Sequence, residues 1–184
     1  MAWIGGTYLY RLVAEPPLTG HAAVKAVVER ILIVESNGDP NAKNRRSSAT
    51  GAGQFLDGTW LETIRMHRPD LVKGRNEKQL LELRRELELS REIATRLVER
   101  NAAMLSKRGL SVTPGTLYLT YFAGPAGAIA ILSGAEDLDA AALMASADAS
   151  GRTTREKLVT ANPFLGTLTV GDLKNWADRK MRGL

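Results

Sequence analysis

Residues 31–60 read ILIVESNGDPNAKNRRSSATGAGQFLDGTW. An apolar run ends on a single carboxylate, Glu35, and a polar loop with almost no hydrophobic side chain follows. Gly51, Gly53, Gln54 and Phe55 then lead into a second apolar run around Trp60. A segment that served only to pack a core would have no need of such a loop, so the stretch is read as one wall of an active site, with Glu35 as its acid.

Working outward, the helical period dominates the chain. Thr19 or Gly20 can cap a helix over residues 21–34, in which Val24, Val27, Val28 and Ile31 have the spacing of a buried stripe. Glu35 stands four residues beyond Ile31 and continues that stripe. Residues 36–55 are rich in Asn, Gly, Ser and Thr and read as loop with at most a small β-hairpin. Asp57 is expected to cap the next helix, which carries Trp60, Leu61 and Ile64 and ends before Pro69.

A short helix is expected over residues 79–86 and a long one over 90–107. Ile93, Ala94, Leu97, Val98, Met104 and Leu105 form the inner face of the long helix, and Gly109 stops it. Asn101 falls on that inner face and is expected to bond backbone. Thr113-Pro114 has the cap-then-proline start of a further helix, which passes through Tyr118 and Tyr121 and breaks at Gly124-Pro125. Helical segments at 126–132, 138–144, 154–161 and 170–181 complete a mainly α fold. The length suits one domain over residues 20–184. Residues 1–19, with Pro16 and Pro17 near their end, read as an N-terminal arm without assigned function.

Composition narrows the chemistry. There is no cysteine, which excludes disulfides and thiolate chemistry. With only His21 and His67, a transition-metal site would have to lean on carboxylates, so no metal is expected. The net charge of +5 favours an anionic partner. Yet the arginines of the long helix alternate with Glu82, Glu86, Glu88, Glu92 and Glu99. That pattern describes a solvated, salt-bridged face rather than a phosphate track, and no nucleic acid is expected. No apolar run approaches membrane-spanning length. The start, MAWIGGTYLYR, lacks the basic lead and sustained apolar core of a secretory signal; either the chain is not exported by that route or its signal has been removed.

At Glu35 two effects act in one direction. A carboxylate at the C-terminal end of a helix faces the negative pole of the helix dipole, and on an apolar stripe it loses water. Both favour the neutral acid, the form that general-acid cleavage of a glycosidic bond requires. Downstream, Ser47, Ser48, Thr50, Gly51, Gly53 and Gln54 form a loop whose glycines admit close approach and whose hydroxyls and amide can hydrogen-bond a sugar.

Three segments together resemble the SLT-type lytic transglycosylases, which have a lysozyme-like fold. They are Glu35-Ser36, Gly51-Ala52-Gly53-Gln54-Phe55, and Tyr121-Phe122-Ala123-Gly124-Pro125, the last standing where the family has Tyr-Asn-Ala-Gly-Pro. The likeness covers roughly residues 20–130, with a weaker echo at Asn162-Pro163-Phe164 and the closing helix.

The resemblance implies a peptidoglycan enzyme of the periplasm or cell wall that needs no cofactor. Glu35 would be the sole acid/base, protonating the oxygen between N-acetylmuramic acid and N-acetylglucosamine. It would then take the proton of the muramoyl C6 hydroxyl as that oxygen closes onto the anomeric carbon, leaving a 1,6-anhydromuramoyl end. Ser48 or Ser47, Gln54 and Tyr121 would bind the glycan strand, with Tyr121 hydrogen-bonding near Glu35. One carboxylate suffices because the nucleophile belongs to the substrate. Asp39 and Asp57 look like a turn residue and a helix cap, so no second acid faces Glu35. The sequence departs from the family in Phe122, which replaces Asn, and in Gly-Ala-Gly-Gln, which replaces Gly-Leu-Met-Gln. A hydrolytic N-acetylmuramidase on the same fold and a non-catalytic wall-binding domain are the alternatives.

Overall fold

A computed structural model of the chain describes residues 20–184. The expected N-terminal arm, residues 1–19, lies outside the described residues. The described chain is mainly α-helical, and no β-sheet forms among its residues.

The first helix, α1 (Gly20–Ser36), buries Val27, Val28, Ile31 and Leu32. Each such aliphatic contributes about 1.5–3 kcal/mol on leaving water. The stripe holds α1 against α5 (Leu87–Lys107), whose buried face carries Leu89, Ile93, Ala94, Leu97, Val98 and Leu105. Between them in the chain come α2 (Asp57–His67), the short α3 (Pro69–Val72), α4 (Glu77–Glu82) and a 3-10 turn, Leu83–Arg85. Trp60 of α2 is fully buried and donates its indole N–H to Leu80 O at 2.7 Å, so the largest core side chain also satisfies its one polar atom.

The longest apolar element, α6 (Pro114–Ser133), packs against α5, α7 (Ala140–Ser146) and α9 (Val170–Lys180). Thr113 and Thr116 close its N-terminus as a reciprocal capping pair with Pro114 in the first turn, as the Thr-Pro pattern predicts. The expected break is present at Gly124, where φ is 70° and the helix changes course. At 20 residues α6 is long and apolar enough to cross a membrane by length and composition, contrary to the expectation of no such run. Its apolar side chains are directed elsewhere: Leu117, Tyr118, Leu119, Ala128 and Ile131 are buried against other helices. After α8 (Arg155–Ala161), a 3-10 turn, Pro163–Thr167, leads into α9.

Several local expectations are corrected. Asp57 does not cap α2. The N-cap position is Leu56, and Asp57 occupies the first helical turn with its carboxylate 2.7 Å from Arg84 Nη1. The expected 79–86 helix begins earlier, at a capping pair of Asn76 and Gln79, and then tightens into the 3-10 turn. Asn101 does not bond backbone; its side-chain nitrogen is buried without a partner. The arginines of α5 behave as expected: Arg91 pairs with Glu29 of α1 at 2.6 Å, and Arg100 with Glu62 of α2 at 2.6 Å. Such exposed pairs are individually weak.

Candidate active site

The break at the end of α1 begins the site. Asn37 and Gly38 both take positive φ, which turns the chain sharply out of the helix. Ser36 donates its hydroxyl to Ala52 O at 2.8 Å and so pins the return of the loop against the helix end. Isolated antiparallel bridges pair Lys43 with Thr50 and Thr50 with Phe55, a remnant of the expected hairpin that never becomes a strand pair.

The loop is compact because its glycines allow it to be. A Cβ at Gly51 would lie 2.1 Å from Arg84 O, and one at Gly53 would lie 2.7 Å from the Phe55 ring and 2.8 Å from the Tyr121 hydroxyl oxygen. Gly53 O in turn accepts the Tyr121 hydroxyl at 2.6 Å. Phe55 sits edge-on to both Trp60 and Tyr121, with ring centroids 5.2 and 5.7 Å apart, and so anchors the loop to the core.

Glu35 opens into a cleft of about 280 Å³ bounded on one side by the loop (Asn44, Ser47, Gln54) and on the other by Tyr121, Phe122 and the end of α8. Of the expected site residues, Glu35, Ser47, Gln54 and Tyr121 all face this cleft. Ser48 does not. Its hydroxyl accepts the N–H of Asp57 at 3.2 Å, so Ser48, rather than Asp57, serves the start of α2. Gln54 takes a positive φ of 46° and commits its amide nitrogen to the loop, to Gly51 O at 2.9 Å and Ala42 O at 3.3 Å. Its role toward a ligand is therefore limited to what its carbonyl oxygen can accept.

The expected tyrosine contact is corrected as well. The hydroxyl on Glu35 belongs to Tyr118, one helical turn before Tyr121, and donates to Oε1 at 2.9 Å. Tyr121 bonds the loop instead. Both tyrosines share one face of α6, since residues three apart are neighbours on a helix. That spacing was available in the sequence, whereas Lys180, which reaches the same carboxylate from α9, was announced by no motif.

Burial pushes the Glu35 carboxyl above its ordinary value, against the Tyr118 hydrogen bond and the Lys180 ammonium, both of which favour the anion. Burial first, and then the charge of Glu35, raises both Tyr118 and Tyr121, so each phenol remains a donor across the working range. Glu35 is the only carboxylate among the described residues lining the cleft. Asp57 is paired with Arg84, and Asp39 accepts the backbone N–H of Asn41 at 2.8 Å, closing a turn.

Two outcomes follow from this electrostatic balance. Tyr118→Phe deletes a bond that favours the carboxylate, so the carboxyl of Glu35 rises further. If catalysis starts from the neutral acid, the alkaline limb of the pH–activity profile moves to higher pH, as rate measurements across pH will show. The second outcome concerns stability. A carboxyl raised in the folded state stabilises the fold fully below its unfolded value, near 4.5, and that contribution is lost as pH rises through the folded value. Glu35→Gln should therefore match the parent in melting temperature at acid pH and melt higher than the parent at neutral pH.

No protein-family model and no curated protein matches this chain. Fold and site together define a mainly α-helical protein with one shielded carboxyl in an open cleft, buttressed by two tyrosines.

Proposed function

We propose that the protein is an SLT-type peptidoglycan lytic transglycosylase with a lysozyme-like domain over residues 20–184, acting in the periplasm or cell wall. The observation that carries this reading is the solitary carboxylate: Glu35 is half-enclosed, biased toward its neutral form and faced across the cleft by no other acid among the described residues. An inverting hydrolase needs a second carboxylate to activate water, and a retaining one needs a second carboxylate as nucleophile. A reaction whose nucleophile is the substrate's own hydroxyl needs neither.

Glu35 protonates the bridging oxygen between N-acetylmuramic acid and N-acetylglucosamine as the bond from the anomeric carbon breaks. The resulting carboxylate, held by Tyr118 and near Lys180, then accepts the proton of the C6 hydroxyl while that oxygen bonds the anomeric carbon. The product is a 1,6-anhydromuramoyl end, and Glu35 is returned protonated. Ser47 and the Gln54 carbonyl are placed to hydrogen-bond the strand along the loop wall.

Mass spectrometry of a peptidoglycan digest tests the proposal. Anhydromuropeptides are the expected product. Reducing muramic ends would replace the reading by hydrolysis, and retention on wall material without cleavage would replace it by a binding domain.

A further inference from the structure

Beyond the cleft, four aromatic rings contributed by three separate segments form a continuous cluster. Trp176 of α9 lies 5.3 Å from Tyr118, 4.9 Å from Phe122 and 5.0 Å from Phe164, between ring centroids, and Phe122 and Phe164 are 5.9 Å apart. The cluster is buried at Tyr118 and emerges at the surface: Trp176 is partly covered, and Phe164 is 38% exposed. Phe122 belongs to both the cluster and the cleft wall. Asn162, two residues before Phe164, also lines the cleft. The Lys180 ammonium stands 5.7 Å from the centre of the Trp176 ring.

One exposed aromatic is ordinary on a protein surface; what sets Phe164 apart is its continuity, through Phe122, with the cleft wall. Phe164 is the exposed end of the cluster, and its ring lies 5.9 Å from that of Phe122, which lines the cleft holding Glu35. Pyranose sugars present a face of C–H bonds that stacks on aromatic rings, while their rim of hydroxyls and N-acetyl groups seeks amides and cations. Lys180 supplies a cation beside Trp176, and Asn162 an amide in the adjoining cleft wall. A protein partner would need a far larger apolar area than one phenyl edge and part of an indole.

We infer that Phe164, stacked on Trp176 and backed by Phe122, forms a stacking subsite for an N-acetylhexosamine ring of a glycan strand, one that lies outside the bond at Glu35. The inference rests on the glycan reading of the cleft and deepens it: the substrate is an extended strand engaged by more sugars than the two being parted. This gives Phe122, which departs from the family pattern, a positive role as the ring that joins cleft to ledge.

The test measures binding without cleavage. In a Glu35→Gln background, calorimetric titration with the β-1,4-linked tetramer of N-acetylglucosamine should give a Kd that Phe164→Ala weakens by about tenfold, the size expected of one aromatic stacking contact. Phe164→Tyr keeps the ring and should retain the parent affinity. Phe164 is exposed enough for both variants to fold, which circular dichroism verifies. In the Glu35 parent, Phe164→Ala should raise KM for peptidoglycan strands and leave kcat unchanged, because a remote sugar is held equally in ground and transition states. Unchanged Kd and KM in folded Phe164→Ala would overturn the subsite while leaving the transglycosylase reading standing. Ring-dependent tetramer binding by a protein that cuts no peptidoglycan would do the reverse.

Discussion

The Glu35→Gln protein is expected to fold and to release no detectable anhydromuropeptides from peptidoglycan. A glutamine is nearly isosteric with the acid and can still accept the Tyr118 hydroxyl through its carbonyl oxygen, so the geometry at the end of α1 is kept. What disappears is the proton. General acid–base catalysis by one positioned group contributes typically about 10²–10⁴-fold, and in a mechanism with a single carboxyl the same group serves both halves of the reaction. The loss should lie at or beyond the upper end of that range. Measuring kcat by release of soluble muropeptides, alongside retention on wall material, separates a lost proton from lost binding. A variant that keeps more than about a tenth of the parent rate would show that Glu35 is not the acid.

The largest expected effect on stability belongs to a residue with no part in proton transfer. Arg84 is 6% exposed. Its Nη1 donates to Ser48 O at 3.0 Å and Phe55 O at 2.9 Å and pairs with Asp57, while its Nε donates to Leu81 O at 2.9 Å. One guanidinium thus fastens the far end of the loop over residues 37–56, the start of α2 and the turn that precedes α5. Arg84→Ala leaves several acceptors without their donor, at about 1–3 kcal/mol for each group that water cannot reach. A total loss of about 2–4 kcal/mol is expected, since Asp57 is partly solvated. In a chain of this length that lowers the melting temperature by roughly 5–15 °C. Arg84→Lys should recover only a minor part, because an ammonium lacks the planar fork that reaches several acceptors at once. Thermal melts of both variants check the prediction, and a lysine variant equal to the parent would refute the clamp.

The contrast between these two residues explains what the sequence makes legible. Glu35 announces itself because it ends an apolar stripe and precedes a loop of unusual composition, both local patterns. The helices α1, α5, α6 and α9 follow from periodicity, and their ends follow from Thr113-Pro114, Gly109 and Pro69, where backbone chemistry acts within a few residues. Arg84 is hidden because it sits in a run of charged residues that reads as solvated surface. Nothing within ten positions shows that loop carbonyls some thirty residues earlier close over it. Ser48 rather than Asp57 meets the start of α2 for a similar reason: either side chain can serve a helix start, and the choice depends on how the loop returns. Tyr118 and Tyr121 occupy the same face of α6, so only the tertiary arrangement of α1 and the loop decides which phenol meets the carboxyl. The aromatic ledge combines positions 118, 122, 164 and 176, each unremarkable by itself.

The backbone of α9 is tied to the first helix by Arg30, whose Nε donates to Lys180 O at 2.8 Å across a separation of 150 residues. The same terminal turn brings Lys180 toward Glu35, and Trp176 packs on the tyrosine that bonds it. Closing the 150 residues between Arg30 and Lys180 costs chain entropy, which the packing of α9 on α6 helps to offset. The Lys180 ammonium that α9 brings favours the carboxylate of Glu35, against the burial that favours the neutral acid. The closing helix thus tempers the bias of Glu35 toward its proton rather than creating it.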